Sequence, residues 1–579
     1  MKKILALCSG IKGRKDVFVM KKWISLFLTL LLIFQFTLPA FAKTKGFKRV
    51  NDRIPTIVVA GDGNAICVPD ETAPDGERKV ISGGILRDLF SSSDEEDEDD
   101  SNVEEAVANV LLPFFKEGVL KDNWEPYYEA LEKEIGDLFY EAQLDKDGNA
   151  QYGTNVSGWC QWNNWYNQNT DNKGDKGYYG LDDYRFWYDW RLDPMESART
   201  LHTYIQNVKR VTNSNQVALF TTCLGSNVAM AYIAQFGTKD LYSLGINATV
   251  ANGSEFITEA LTGKAKLDGN ALVRFLETSA VSGMFSPEEF LIATIDLATK
   301  AGILDGTSKF LHATIYDKVV QGVTSALALG TFFTFPCYWS AVCPESYDEA
   351  IRFVFGNKGT EKRLEYHGLI KKLNKYHNKV GLHISELLKS AGDQGVKLSI
   401  LGKYGLQMVP LNQSNELVGD EFASLHRAAF GATTSASIFE TLSDDYVAQR
   451  TAAGKGKYIS PDHMVDASTC LYPDYTWFVK GTTHVHRTEQ ENELQYTCLT
   501  ADRQLTINDF AWTQFMVFDN ETQQMMPMTI DNCHTEPYST NKNDAQPKSL
   551  FARLKLFFQA LKRWFGLLIE QNFSGKAKS

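Results

Sequence analysis

The chain has 579 residues, of which 44% are hydrophobic and 22% are charged, a balance typical of a globular protein with a sizeable core. Its formal net charge of −12 argues against general nucleic-acid binding, which needs a basic patch, and we predict no nucleic-acid partner. A chain of this length can hold several domains or one long α/β unit.

The amino-terminal region has the features of a secretory signal peptide. Lys21-Lys22 precedes an apolar run over residues 24–38, and an A-x-A cleavage site follows at residues 40–42. We therefore predict a signal peptide over residues 1–42, with Met20 as its natural start. The mature protein is expected to be secreted or extracytoplasmic, or peripheral on the outer face of the cell membrane.

A short apolar run, Thr56-Ile57-Val58-Val59-Ala60, predicts a strand near the start of the mature chain. It leads directly into Gly61-Asp62-Gly63-Asn64, whose glycine and Asx residues predict a turn.

An acidic run follows this turn. Asp94–Asp100 is seven consecutive carboxylates after three serines, which predicts a solvated loop over residues 91–105. The run has no turn spacing of the kind that makes a calcium site.

The stretch Thr221-Thr222-Cys223-Leu224-Gly225 has the shape of a nucleophile elbow, G-x-S-x-G, with cysteine in place of serine. Residues 216–220 predict a strand and residues 227–236 predict a helix. The turn between them would expose Cys223 beside a helix N-terminus, which favours negative charge. Such a position suits a thiolate, because helix N-termini lower thiol pKa values. The local pattern also fits a buried cysteine in any strand–turn–helix unit.

The segment before the elbow carries a family resemblance. Tyr188-Asp189-Trp190-Arg191-Leu192 is followed by a helix with apolar spacing and then by the elbow strand. In this order the chain resembles the lecithin:cholesterol acyltransferase and lysosomal phospholipase A2 family, which carries Y-D-W-R-L, a helix and a strand ending in H-S-L-G. The chain has T-C-L-G at the last motif. The resemblance implies an α/β class protein with the α/β-hydrolase fold, a mostly parallel sheet flanked by helices.

The turn at residues 61–64 resembles the P-G-x-x-G-N oxyanion turn of the same family, shortened by one residue and without the proline. In that fold the turn donates one backbone N–H to the oxyanion and the residue after the nucleophile donates the other. The resemblance therefore implies an oxyanion hole made by the backbone amides of Asp62 and Leu224.

The triad order in this fold is nucleophile, acid, histidine. The segment Gly419-Asp420-Glu421-Phe422, after apolar runs between residues 398 and 411, resembles the family's G-D-G-T-V, so Asp420 is the first choice for the acid. Asp462 is the competitor, because its local sequence is similar and it lies nearer to the histidine. Either residue could also belong to a surface Asx turn.

The histidine of the triad is expected just after the last strand. Residues 475–480 alternate β-forming side chains and are followed by Gly481, Thr482, Thr483 and His484. His484 therefore occupies the position of the base, and His486, two residues further on, is the alternative.

Two further segments complete the predicted organisation. The α/β-hydrolase catalytic domain is expected over residues 43–540, with a large helical cap insertion over about residues 237–400. Residues 546–571 predict a basic amphipathic helix, with Leu550, Leu554 and Phe558 on one face. Such a helix is typical of a segment that lies in a membrane interface, and docking against the main domain is the alternative.

The predicted function is that of a lipid acyl hydrolase or O-acyltransferase acting on ester substrates through Cys223, His484 and Asp420, with a thioester acyl-enzyme. The expected partners are a lipid or other acyl ester substrate and a membrane surface. We predict no cofactor, and no metal, because no Cys/His cluster has zinc spacing. The alternatives are a catalytically degenerate hydrolase fold that binds lipid or cell-envelope material and, less favoured, a cell-envelope cysteine amidase or peptidase.

Overall fold

The computed structural model describes residues 54–61, 66–69, 78–82, 109–110, 112–138, 142–151, 155–156, 184–265, 332–409, 412–484, 487–509, 513–519 and 522–533, together with isolated positions at 271, 318, 322, 325 and 328–330. The predicted signal peptide, the acidic loop and the carboxy-terminal helix lie outside these residues.

An eight-stranded sheet forms the centre of the molecule, in the order β13-β12-β11-β8-β7-β6-β1-β5. Its strands are β1 (Thr56–Val59), β5 (Tyr184–Arg185), β6 (Val217–Cys223), β7 (Leu241–Thr249), β8 (Lys397–Tyr404), β11 (Thr476–Lys480), β12 (Phe515–Asp519) and β13 (Gln524–Pro527). Adjacent strands are parallel except for β12 and β13. Two small antiparallel sheets join β2 (Ile66–Pro69), β3 (Arg78–Ser82) and β4 (Asn155–Val156), and β9 (Thr433–Thr434) with β10 (Val465–Asp466).

Twelve α-helices are present among the described residues. They are α1 (Glu125–Leu138), α2 (Pro194–Thr212), α3 (Gly225–Phe236), α4 (Glu255–Leu261), α5 (Pro336–Trp339), α6 (Tyr347–Phe355), α7 (Glu361–Glu365), α8 (His367–Lys379), α9 (Ile384–Asp393), α10 (Leu425–Ala428), α11 (Asp444–Ala452) and α12 (Glu489–Thr500). None of the described helices combines the length and the hydropathy that crossing a bilayer requires.

The central strands are apolar because the sheet is covered on both faces. Along β6, Val217 and Leu219 join the large core that also contains side chains of α2 and α3. The alternate residues Ala218 and Phe220 pack with Leu499 of α12 on the opposite face. Strands of a parallel sheet buried in this way carry continuous apolar runs rather than alternating ones.

The strand order is that of the α/β-hydrolase fold. Strands β1 and β5, which precede β6 in the chain, lie on one side of it, and β7, β8 and β11, which follow, lie on the other. The carboxyl end of β6 is therefore a topological switch point, where open α/β sheets bind ligands. The elbow at the end of this strand completes the pattern. The predicted fold class is confirmed.

Part of the segment predicted as a cap belongs to the central sheet. Residues 241–249, which the prediction placed in the insertion, form strand β7 at the centre of the sheet. The segment between β7 and β8 is helical in its described part. The helices α4, α6 and α8 share a separate apolar cluster that includes Trp339, Phe355 and Leu369. The boundary was misplaced because a fully buried strand such as β7 has no alternating pattern that separates it from a buried helical segment.

Candidate active site

Cys223 lies at the end of β6 in a left-handed backbone conformation, with φ of +50°. Non-glycine residues rarely adopt such angles, and strained positions of this kind cluster at functional sites. The helix α3 begins two residues later, at Gly225. The thiol is half-buried and forms no disulfide within the described residues. The sequence thus folds here as the predicted strand, sharp turn and helix.

Glycine is required at position 225 by the close approach of β1. A Cβ atom at this residue would lie 2.0 Å from the carbonyl oxygen of Val59 and 2.7 Å from that of Ala60. At the position of the first elbow glycine, Thr221 is fully buried, and its hydroxyl donates to the carbonyl of Gly245 at 3.0 Å. Threonine is tolerated there because its hydroxyl has an acceptor inside the sheet.

Gly61, two residues beyond β1, lies directly against the elbow. A Cβ atom on Gly61 would lie 2.8 Å from Cβ and 3.1 Å from Sγ of Cys223, and 3.4 Å from the backbone nitrogen of Leu224. The amide of Leu224, one of the two predicted oxyanion donors, therefore lies close to Gly61. Asp62, the other predicted donor, lies outside the described residues.

Asp420 lies in the turn after β8 and is fully buried. Its Oδ1 atom accepts hydrogen bonds from the backbone amides of Phe422 at 3.3 Å and Ala423 at 3.1 Å. Its Oδ2 atom lies 2.9 Å from Nδ1 of His484. Burial alone would raise the pKa of this carboxyl, but His484 and the two amides outweigh burial and lower it. Asp420 is therefore held as a carboxylate.

His484 follows β11 after three residues, and its side chain is buried. Its backbone N–H donates to the carbonyl of Asp420 at 3.1 Å, so two contacts join the two residues. Burial opposes protonation of the imidazole, but the charges of Asp420 and Cys223 raise its pKa to about 10. The Nε2 atom is buried and has no hydrogen bond of ordinary geometry to a described residue.

The competing acid, Asp462, lies in a different environment. Its Oδ2 atom accepts from Nζ of Lys480 at 2.9 Å and from the hydroxyl of Tyr404 at 3.1 Å. Its Oδ1 atom accepts from the hydroxyl of Ser460 and the amide of Met464. These contacts describe a structural ion pair rather than a partner for the histidine. His486, the alternative base, lies outside the described residues.

The base of the cap holds the turn that carries Asp420. The hydroxyl of Ser254 donates to the carbonyl of Phe422 at 2.5 Å. The carboxylate of Glu255, at the start of α4, accepts from the backbone and hydroxyl of Ser424 and from Nε of Arg427 at 2.9 Å. The position of the acid is therefore set by the cap as well as by the sheet.

Three buried ionisable residues near His484 are absent from the sequence predictions. Glu421 is buried with φ of +91°, and burial and the charge of Asp420 raise the pKa of its carboxyl to about 8. Lys403 and Glu491 are fully buried and lie 3.1 Å apart. A lysine within the apolar run of β8 was the available signal, because an unpaired charge is almost never fully buried.

The described residues contain no group of three or more His, Cys, Asp or Glu side chains arranged to hold a metal ion. The arrangement that is present consists of a thiol, an imidazole and a carboxylate at the carboxyl ends of β6, β11 and β8. Such a set can transfer a proton from the thiol to the imidazole while the carboxylate fixes the imidazole orientation.

No protein-family model matches the chain, and a comparison with curated proteins gives no match. Among solved structures, feruloyl esterase B from Aspergillus oryzae is 11% identical, covering 55% of this chain and 71% of its own, with a TM-score of 0.23. The Tle4–Tli4 complex is also 11% identical, covering 62% of this chain and 76% of that chain, with a TM-score of 0.22. The fold assignment rests on the strand order and the elbow described above.

Proposed function

We propose that this protein is an acyl-ester hydrolase or O-acyltransferase that uses Cys223 as nucleophile, His484 as general base and acid, and Asp420 as the residue that orients His484. The observation that carries the proposal is the 2.9 Å contact between Nδ1 of His484 and Asp420, with the charge of Cys223 also raising the pKa of the same imidazole. The three residues occur in the chain order of α/β-hydrolase triads. The resemblance to the lecithin:cholesterol acyltransferase and lysosomal phospholipase A2 family favours a lipid ester as the substrate.

Before the proposed acylation step, the thiol proton of Cys223 has passed to Nε2 of His484, because the raised pKa of the imidazole favours its protonated form. The sulfur forms a bond to the ester carbonyl carbon, and the carbonyl oxygen takes up negative charge. When the tetrahedral intermediate collapses, the carbon–oxygen bond to the leaving alcohol breaks and Nε2 returns the proton to that oxygen. The product is a thioester on Cys223.

In the proposed second step, a water or an alcohol attacks the thioester carbonyl and gives its proton to Nε2. The carbon–sulfur bond then breaks, and the proton returns to the sulfur. Water as the acceptor makes the enzyme a hydrolase, and an alcohol makes it a transferase. Asp420 stays ionised throughout and stabilises the imidazolium formed in each step.

The amide of Leu224 is proposed as one donor to the developing oxyanion, because it follows the nucleophile at the N-terminus of α3. Donors aimed before the charge develops stabilise the transition state without reorganising. Asp62, in the turn predicted over residues 61–64, is proposed as the second donor. The position of Gly61 against Cys223 supports this role for the turn.

We also propose that the enzyme works outside the cytoplasm, at a membrane surface. The predicted signal peptide over residues 1–42 and the basic amphipathic helix predicted over residues 546–571 support this location. Such an anchor would keep the catalytic domain near ester substrates that lie in a bilayer.

The test is the intact mass of the purified protein after incubation with short- and long-chain acyl esters. We expect an acyl adduct that hydroxylamine removes, and no adduct on Cys223→Ala. His484→Ala should form the adduct at least about 100-fold more slowly, because general base catalysis is lost. Circular dichroism of each variant serves as the folding control.

Absence of both adduct and ester turnover, with Cys223 accessible to thiol reagents and the fold intact, would contradict the proposal. That result would favour a hydrolase fold that binds lipid or cell-envelope material without turnover. Turnover of amides but not of esters would favour the amidase alternative.

A further inference from the structure

A buried ion pair lies behind the loop that carries His484. Lys403 of β8 and Glu491 of α12 both have side chains with no exposure to solvent, and Nζ lies 3.1 Å from Oε2. Removing two charges from water is costly, and well-packed apolar residues often give equal stability. The pair therefore calls for an explanation other than stability.

The pair contacts the two residues that immediately precede the histidine. Nζ of Lys403 donates to the carbonyl oxygen of Thr483 at 3.2 Å. The hydroxyl of Thr482 donates to Oε1 of Glu491 at 3.3 Å. Thr482 and Thr483 are both fully buried, so these polar contacts are made away from competing water. The loop is thus held from the side of β8 and α12, whereas Asp420 holds His484 itself.

Both members of the pair are fixed on rigid elements. Lys403 is paired within the sheet to Val479 of β11, the strand that leads into the loop. Glu491 lies in the first turn of α12, where its backbone N–H donates to the hydroxyl of Thr488 at 3.0 Å. The spacing of Thr488 and Glu491 is that of a capping box, in which the glutamate turns back to the helix N-terminus. Here its carboxylate lies beside Lys403 and Thr482.

We propose that the Lys403–Glu491 pair positions His484, by fixing the carbonyl of Thr483 and the hydroxyl of Thr482 so that the imidazole faces Cys223. Lys403 and Glu491 are positioning residues, because neither contacts Cys223 or a reacting atom. The proposal rests on the proposed role of His484 as the partner of Cys223, but not on the identity of the acyl substrate.

Other charges face the same region and bear on the pH range of a test. Asp420 and Glu421 contribute negative charge near Lys403, from the turn that carries Asp420. Arg487 contributes positive charge and donates a hydrogen bond to the carbonyl of His484. Burial, followed by the charge of Arg487, lowers the pKa of Lys403 to about 8 despite Glu491. Measurements between pH 5.5 and pH 7.5 therefore keep Lys403 charged in the parent protein.

The test uses the charge-balanced double variant Lys403→Met/Glu491→Gln in the full chain. Removing one partner alone would leave a buried charge unpaired, whereas the double variant removes both charges and retains similar side-chain volumes. The matched control is Lys209→Met/Asp240→Asn, because this partly buried pair lies at the opposite end of the sheet, where Asp240 precedes β7. The readouts are the melting temperature, the rate of Cys223 alkylation by iodoacetamide from pH 5.5 to pH 7.5, and the acylation rate.

We expect the double variant to melt near the parent temperature but to be alkylated about 10- to 100-fold more slowly below pH 7, as displacement of a catalytic group by roughly 1 Å would produce. The dependence of the alkylation rate on pH should approach that of His484→Ala. The control double variant should keep the pH dependence of the parent. A folded double variant with the parent profile would overturn the proposal. A parent profile identical to that of His484→Ala would overturn it as well.

If the double variant does not fold, Thr482→Val decides, because it removes only the hydroxyl that contacts Glu491. A shift of its alkylation profile toward that of His484→Ala supports the positioning role, and an unshifted profile overturns it. Alkylation that depends on His484 without any acyl adduct would contradict the proposed function while leaving the positioning role supported. The two failures are therefore distinguishable.

Discussion

At the residue scale, the environment of each carboxylate decides what it can do. Asp420 lies beyond the end of β8 and Asp462 lies in the turn before β10, and both are buried. Asp420 meets an imidazole, whose protonation it stabilises, whereas Asp462 meets Nζ of Lys480 and the hydroxyl of Tyr404. The first arrangement is the one suited to orienting a base, because the oxygen atoms of Asp462 are occupied by other donors.

Substitution of Asp420 should reduce the acylation rate, whereas substitution of Asp462 should reduce stability. Asp420→Asn should reduce the acylation rate by about 10³-fold or more, because the amide no longer holds His484 in the required tautomer. Asp462→Asn should lower the stability by about 2 kcal/mol through loss of a charged hydrogen bond to Lys480, with little change in acylation. Acylation rates and urea unfolding of both variants provide the comparison. A large loss of acylation in the Asp462 variant, with its fold intact, would reverse the assignment of the acid.

Glu421 should make stability depend on pH. Its folded pKa of about 8 lies above the ordinary value of 4.5, so the folded state binds the proton more tightly than the unfolded state. The stability that this group contributes is fully present below about pH 4.5 and is lost as the pH rises through 8. The negative charge of Asp420 disfavours the ionised form of Glu421, whereas the positive charges of His484 and Lys403 favour it.

The variant Glu421→Gln should therefore melt close to the parent at pH 4.5 and at a higher temperature than the parent at pH 8.5. Thermal unfolding between pH 4 and pH 9 measures the difference. The matched control is Glu416→Gln, because Glu416 is exposed and lies in the same segment. A melting difference that stays constant over this range would show that Glu421 ionises normally.

At the element scale, the elbow depends on the contact between β1 and the first turn of α3. The left-handed Cys223 turns the chain sharply, and the helix can start against β1 only where no side chain intervenes. Gly61, two residues beyond β1, lies against the thiol in the same region. The positions of Cys223 and of the Leu224 amide are thus set by one helix–strand contact.

Gly225→Ala should disrupt this contact and cost at least about 3 kcal/mol, because the added Cβ overlaps backbone oxygens that cannot move independently. The rate at which iodoacetamide alkylates Cys223 should also change, because the thiol lies at this contact. The control is Gly454→Ala, at a residue with φ of +71° and open space, where only left-handed strain of about 1 to 2 kcal/mol is expected. Chemical denaturation of both variants gives the two values. Equal costs would mean that α3 can shift away from β1.

At the scale of the whole molecule, charge is distributed unevenly along the chain. The net charge is −12, while the predicted helix over residues 546–571 carries Lys548, Arg553, Lys555, Lys562 and Arg563 and no acid before Glu570. A basic amphipathic segment on an acidic protein should bind anionic membranes through that segment alone, since the remaining surface is repelled.

A chain ending at residue 545 should therefore lose sedimentation with phosphatidylglycerol vesicles while retaining adduct formation on a soluble short-chain ester. The matched control is the full chain with these five basic residues changed to glutamine, which should bind these vesicles more weakly and with less dependence on salt. Sedimentation with phosphatidylcholine vesicles measures how much the apolar face of the predicted helix contributes to membrane binding. Equal vesicle binding by the shortened and full chains would contradict the membrane role and favour docking of the helix on the main domain.

The sequence by itself placed the elbow through local signals, and the family resemblance carried by Tyr188–Leu192 implied the fold class. A sharp strand-to-helix turn needs glycine at Gly225, and the buried parallel strands need continuous apolar runs. The same local reasoning placed His484 just after β11. It could not separate Asp420 from Asp462, because the two residues have similar local sequences and differ only in what lies opposite them.

Only the tertiary structure decided which side chains meet. It brought Asp420 to His484 across 64 residues of sequence, and it placed Lys403 and Glu491 together behind the same loop. It also showed that residues 241–249 belong to the sheet rather than to the cap. Charges inside a protein are stabilised by partners that are distant in sequence, so their pairing follows from the packing of β8, β11 and α12 and not from any local pattern.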